Sequence, residues 1–155
     1  MEHVVGIGEC VISNNKIDTI KTYALSSCIA VTVYDKSKQL GGMIHVALPK
    51  PMDEDGEYRP GYYATTGIPY LINRLYSEHG CKKSDLIIRL YGGADSIYEN
   101  DMFYIGKRNL IAVTDTLAEL NLMARKAEIG GRYSRTIEME LETGSIKVTR
   151  QPIKI

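Results

Sequence analysis

Three cysteines and three histidines hold most of the nucleophilic and acid–base chemistry in this chain, and one pair stands out by position. Cys28 follows Ser26 and Ser27 and precedes the apolar run Ile29-Ala30-Val31, so its sulfur lies where a polar loop enters a buried strand. A side chain at such a junction is held rigidly and can still be reached. His45 sits in Met43-Ile44-His45-Val46-Ala47, otherwise a plain strand, one hairpin turn further on. Neighbouring strands lie about 4.8 Å apart, close enough to bring the two side chains together. A thiol with an ordinary pKa of about 8.5 is mostly protonated at neutral pH, and an imidazole beside it can take the proton and leave a strong nucleophile. The chemistry in view is acyl transfer. On these two residues alone, the commoner reading is a small buried hydrophobe and a strand histidine with its hydrogen bonds satisfied.

The other reactive residues point nowhere in particular. No CxxC or HxxxH occurs, and His3, Cys10, His79 and Cys81 are too far apart for a local site, so no metal is expected. Cys81, just past Gly80, reads as a surface thiol, and Cys10 reads as core. An odd number of widely separated cysteines fits free thiols in a reducing compartment. Gly6-Ile7-Gly8, Gly92-Gly93 and Gly130-Gly131 lack the spacing of a nucleotide loop and read as places of close backbone packing.

Composition removes several function classes. Nineteen basic residues balance nineteen acidic ones, so no global field draws in nucleic acid or anionic lipid. The eleven tyrosines are scattered and lack a basic stripe, which argues against a base-stacking surface. No apolar stretch approaches the ~18 residues of a membrane span. The N-terminus carries Glu2 where a secretory signal would be basic, so a cytoplasmic protein is expected. With 155 residues, 44 % of them hydrophobic, a single domain over 1–155 is expected.

The elements that must position Cys28 and His45 are mostly strands. Residues 4–12, 29–34 and 40–48 are rich in Val and Ile, with a hairpin turn at 35–39. Pro49 and Pro51 stop the third strand, and a polar, acidic loop follows to residue 60. Apolar residues at helical spacing predict helices over 66–78 and 107–121. Pro69 fits only a first turn, which would start the earlier helix near Gly67, and Gly80 stops it. Residues 86–91 and 123–129 read as strands, and 137–141 and 146–148 as a hairpin about Thr143-Gly144. Strands in runs with two helices between them predict an α+β fold with largely antiparallel sheet.

Taken in order, seven segments resemble the CheD family of chemoreceptor glutamine deamidases. They are Val5-Gly6-Ile7-Gly8-Glu9, Thr22 through Ser27-Cys28-Ile29-Ala30-Val31, Ile44-His45-Val46-Ala47-Leu48-Pro49, Tyr91-Gly92-Gly93-Ala94, Ile105-Gly106-Lys107-Arg108-Asn109, Gly130-Gly131-Arg132 and Glu142-Thr143-Gly144. The resemblance implies a catalytic triad falling on Cys28, His45 and Thr22, with backbone N–H groups near Ser27 and Cys28 steadying an oxyanion. It implies sheet packed on sheet with helices outside, similar to deamidating bacterial toxins. It implies hydrolysis of glutamine side chains on the cytoplasmic helices of chemoreceptors through a cysteine thioester, with no cofactor. It also implies a partner, the CheY-phosphate phosphatase CheC, which leaves a regulatory binding module as the alternative; a thiol peptidase is a second rival. Ala24 and Ser26 stand where the family often has glycine, so a positive φ there would cost energy. The loops at 49–60 and 94–104 are expected to frame the substrate face.

Overall fold

The computed structural model describes residues 1–52, 59–95 and 104–153. Its elements run β1 (Glu2–Val4), β2 (Cys10–Ser13), β3 (Thr19–Leu25), β4 (Ile29–Asp35), β5 (Leu40–Val46), α1 (Ala64–His79), β6 (Leu86–Gly92), α2 (Ile105–Glu119), β7 (Arg125–Ile129), β8 (Tyr133–Glu140) and β9 (Ile146–Pro152). One sheet has the order β1-β3-β8-β9 and the other β2-β5-β4-β6-β7. Pairing is antiparallel except between β1 and β3 and between β6 and β7. The fold is the α+β sandwich expected.

Strands β4 and β5 are buried at every residue, because the five-stranded sheet is covered on both faces. Ile29, Val31, Val33, Ile44 and Val46 turn to the helices, where they pack with Ile68, Leu71, Ile72 and Leu75 of α1 and Val113 and Leu117 of α2. The alternate residues Ala30, Tyr34 and Met43 turn to the other sheet and meet Ile20, Leu25, Ile137 and Met139. The period of two that a strand imposes thus divides one continuous apolar run between two cores. Each of these fully buried aliphatic side chains contributes roughly 1.5–3 kcal/mol. Helices and the four-stranded sheet cover opposite faces of the central sheet.

Several expectations shift in detail. The strand over 4–12 is two strands in different sheets, and the chain crosses between them through Gly6 and Gly8, the latter at φ 79°. The close-packing reading holds where the Gly8 carbonyl abuts Gly61 and where Gly92 abuts the Cys28 carbonyl, but not at Gly130, where a Cβ would meet nothing. Helix α1 begins at Ala64, which puts Pro69 past the first turn. The carbonyl that Pro69 leaves unserved belongs to Thr65, which is exposed. Gly80 closes α1 as expected, with φ 66° and its N–H on the carbonyls of Leu75 and Tyr76. Cys81 is buried, 6 % exposed, and its thiol is pushed up to about 11 by that burial and by Asp35, so it is not a surface thiol. Cys10 is partly buried on the helix-side core, where burial raises its thiol to about 11. Of the two framing loops, residues 53–58 and 96–103 lie outside the described residues.

Strand β3 is absent from the sequence reading, and its shape matters most. Its pairing with β8 slips between Thr22 and Leu25, so that Thr22 and Leu25 are both buried while Tyr23 and Ala24 face out. Such a bulge inserts one residue and re-aims its neighbours. Ala24 takes up the irregularity at φ 54°, in the left-handed region. That conformation costs an alanine about 1–2 kcal/mol. Ala24→Gly is therefore expected to raise stability by about 0.5–1 kcal/mol, the relief less the entropy of a freer unfolded chain. Urea unfolding checks this, and a lower midpoint refutes it.

Candidate active site

Strands β4 and β5 pair in a register that places Ala30 opposite His45 and Ile29 opposite Val46. Directly paired residues project to the same face, so His45 points with Ala30 toward the space between the sheets. Cys28, two residues before Ala30, packs against the same inter-sheet cluster. Carried one residue past the end of β4, the register makes Cys28 a diagonal neighbour of His45. Cys28 is partly exposed, whereas His45 is 1 % exposed. Cys28 is the accessible member of the two and His45 the enclosed one, and no hydrogen bond joins them.

Thr22, made inward-facing by the β3 bulge, reaches His45 from the opposite sheet. Its hydroxyl donates to the Val5 carbonyl at 2.6 Å and lies 2.8 Å from His45 Nδ1. A carbonyl can only accept, so the single hydroxyl proton is committed there, and Nδ1 must carry a proton of its own to donate to Thr22. The tautomer is thereby fixed. Nε2 is left as the unprotonated nitrogen, buried and without a hydrogen-bond partner among the described residues. The His45 backbone is pinned as well: its N–H donates to Glu9 and its carbonyl accepts from Gly8.

Burial sets the resting charges. It lowers the His45 pKa to about 4 and raises that of Cys28, the latter opposed only by the cysteine's own backbone N–H. Both groups are neutral at rest. Burial disfavours a resting thiolate–imidazolium pair.

The segment carrying Cys28 is held by its carbonyls. Ser26 accepts from Ala94 N–H, Cys28 from Gly93 N–H, and Ser27 from the Asn109 side chain at 3.0 Å. Among the described residues no backbone acceptor is seen for the Ser27 N–H, while the Cys28 N–H turns to its own sulfur. Asn109, assigned no role from sequence, is fully buried on α2 and also donates to the Ala47 carbonyl at 2.9 Å. Its signal was an amide on the buried stripe of Gly106, Val113 and Leu117. Among the described residues no cluster of His, Cys, Asp or Glu could hold a metal ion, and no helix is long and apolar enough to cross a membrane.

Two facing sheets with helices on one outer side define the fold class, and a solved structure shares it. The crystal structure of the Bacillus licheniformis hypothetical protein YfiH aligns with a TM-score of 0.52 at 11 % identity, covering 83 % of this chain and 60 % of that one. Residues 47–150 match the family described as CheD chemotactic sensory transduction. A protein of Syntrophotalea carbinolica named "Probable chemoreceptor glutamine deamidase CheD" is 39 % identical over 150 residues, 94 % of this chain and 92 % of the relative. One of Syntrophus aciditrophicus named "Probable chemoreceptor glutamine deamidase CheD 1" is 35 % identical, covering 94 % and 91 %. The archaeal "Probable chemoreceptor glutamine deamidase CheD 1" of Methanosarcina acetivorans is 34 % identical, covering 94 % and 89 %. The chain belongs to the CheD family.

The buried imidazole makes stability depend on pH with a defined sign. Unfolded, His45 titrates near 6.5; folded, near 4, so between those values the unfolded state binds more protons. Stability is full above 6.5 and falls on acidification toward 4, by up to about 1.4 kcal/mol per pH unit. Asp18, lowered to about 2 first by its bond to His3, adds its own loss only below its ordinary 3.8. Urea unfolding at intervals from pH 7 to 4.5 should show the slope, and His45→Gln should flatten it. An unchanged slope in the variant would assign the effect elsewhere.

Proposed function

We propose that this protein deamidates glutamine side chains of chemoreceptors, with Cys28 as nucleophile, His45 as general base and acid, and Thr22 as the residue that orients the imidazole. The observation that carries the reading is the bare Nε2 of His45, fixed as an acceptor by Thr22, on the same side of the sheet as Cys28. The names of the relatives supply the substrate class.

Nε2 takes the Cys28 proton as the sulfur bonds to the carboxamide carbon, and the carbonyl oxygen becomes an oxyanion. On this reading the N–H groups of Ser27 and Cys28 receive it, a role supported by the hold that Ala94, Gly93 and Asn109 keep on the carbonyls of the same segment. The intermediate collapses with cleavage of the C–N bond, and the imidazolium returns its proton to the departing ammonia. Water, activated by the same nitrogen, then hydrolyses the thioester to give glutamate and the free thiol. No organic cofactor enters these steps. Each turnover adds one negative charge to a receptor helix, and the substrate places the enzyme in the cytoplasm.

Resting neutrality gives a clear kinetic signature. Ion-pair formation is coupled to substrate arrival, so the free protein holds a thiol of low reactivity. Iodoacetamide should modify Cys28 no faster at pH 7 than an ordinary cysteine, with the rate climbing above pH 8.5. Rapid labelling well below pH 8 would instead establish a preformed thiolate and overturn the coupling.

The decisive measurement is mass spectrometry of a chemoreceptor cytoplasmic fragment incubated with the protein. The expected change is a gain of about one dalton at glutamine with equimolar ammonia, absent with Cys28→Ala and lowered about 10²–10⁴-fold in kcat with His45→Gln. Backbone cleavage of the fragment would point to a peptidase. Binding of the CheC phosphatase is separable on this reading, since Cys28→Ala should retain it.

A further inference from the structure

At its first turn, helix α2 lies hard against the segment that follows β6. A Cβ on Gly106 would collide with the carbonyls of Gly93 and Ala94, so only glycine lets the helix lie against that segment. Gly93 and Ala94 are the residues whose N–H groups hold the carbonyls of Cys28 and Ser26. Three residues on, and so on the same face of the helix, Asn109 reaches past them. Its Nδ2 donates to Ser27 on the nucleophile's segment and to Ala47, two residues beyond His45.

Continuing the β4–β5 register past its last pair, Ile29 with Val46, would set Cys28 opposite Ala47. The ladder ends there. Asn109 thus supplies, from a third element, a cross-link between the Ser27–Cys28 segment and Ala47, one step past the end of the ladder that holds His45. We infer that Asn109 is a positioning residue: it fixes the spacing between the segment bearing Cys28 and the strand bearing His45, and turns the Ser27–Cys28 N–H groups outward.

A second observation separates this from simple packing. Both carbonyls can only accept, so Nδ2 must face them, and Oδ1 is left buried without a partner among the described residues. A leucine or methionine would fill the same space without a stranded acceptor. The amide is explained by its two donated bonds.

The inference rests on the deamidase reading for its effect on rate, and on geometry alone for its effect on structure, so two readouts are needed. The variants are Asn109→Ala, Asn109→Asp, which keeps the shape but loses both donors, and Val113→Ala, which truncates α2 in the helix-side core away from Cys28. Hydrogen exchange followed by mass spectrometry is read on peptides covering residues 25–30, 45–48 and 92–95, at a temperature where all variants are folded. Exchange there should rise about tenfold in both Asn109 variants and stay near wild type in Val113→Ala. On the chemoreceptor fragment, kcat should fall about tenfold to a hundredfold in both, with KM within about threefold of wild type. If Asn109→Ala matches Val113→Ala in exchange and in kcat, the positioning role is wrong. If wild type releases no ammonia, the deamidase reading fails, and the exchange result still decides the role of Asn109.

Discussion

The hydrogen bond between Thr22 and His45 is the constraint around which the rest is arranged. It joins the two sheets of the sandwich at a buried point, and it can form only if a strand of one sheet presents a hydroxyl to an imidazole on the other. Thr22 is itself spoken for, since its proton goes to the Val5 carbonyl on the chain that crosses between the sheets. One short chain of bonds therefore fixes the tautomer, the ring orientation and the gap between the layers together. Such a bond is worth only about 1 kcal/mol net, yet breaking it would strand two buried groups at about 1–3 kcal/mol each. Its value is in specification more than in stability.

The backbone around it is adjusted to permit that contact. The β3 bulge turns Thr22 inward at the expense of a left-handed Ala24. Gly92, at φ 107°, lies so close to the Cys28 carbonyl that a Cβ would collide with it. Gly106 allows α2 against the next two residues. Irregular backbone of this kind persists only where the surroundings over-determine it. Here they do, since the regular ladders of β4 with β5 and β6 continue to within one residue of Cys28.

How much of this could be read from the chain follows from which residues obey a period. The central strands were legible because both faces of their sheet are buried, giving apolar runs such as Ile29 to Val33, and the helices because Ile68, Leu71, Ile72 and Leu75 hold helical spacing. Strand β3 was not, for its inward positions include a polar Thr22 and its alternation breaks at the bulge, so that Thr-Ile-Lys-Thr-Tyr-Ala-Leu shows no clean period of two. Residues 4–12 read as one strand because nothing in their hydropathy marks the change of sheet; only Gly6 and Gly8 did. Cys28 and His45 were visible as a suggestive pair, and Thr22 came from family resemblance, since its role depends on a contact between sheets that no local pattern encodes. Asn109 stands on the buried stripe of α2, but the two carbonyls it serves are distant in sequence, so its role was not legible.

On the proposed reading, the unsatisfied atoms of the site become intelligible. Four buried side-chain polar atoms lack a partner among the described residues, and two of them, His45 Nε2 and Asn109 Oδ1, belong to this one region. A stranded acceptor is a loss of stability that native proteins seldom keep without cause. For Nε2 the cause is reaction: a nitrogen already satisfied by the protein would have to break that bond before accepting a thiol proton. Leaving it bare in a dry setting holds His45 neutral and Cys28 protonated until a carboxamide arrives. The arriving amide carbon then gives the sulfur a bond to form as its proton leaves, so proton transfer and nucleophilic attack proceed together and the buried ion pair need never stand alone.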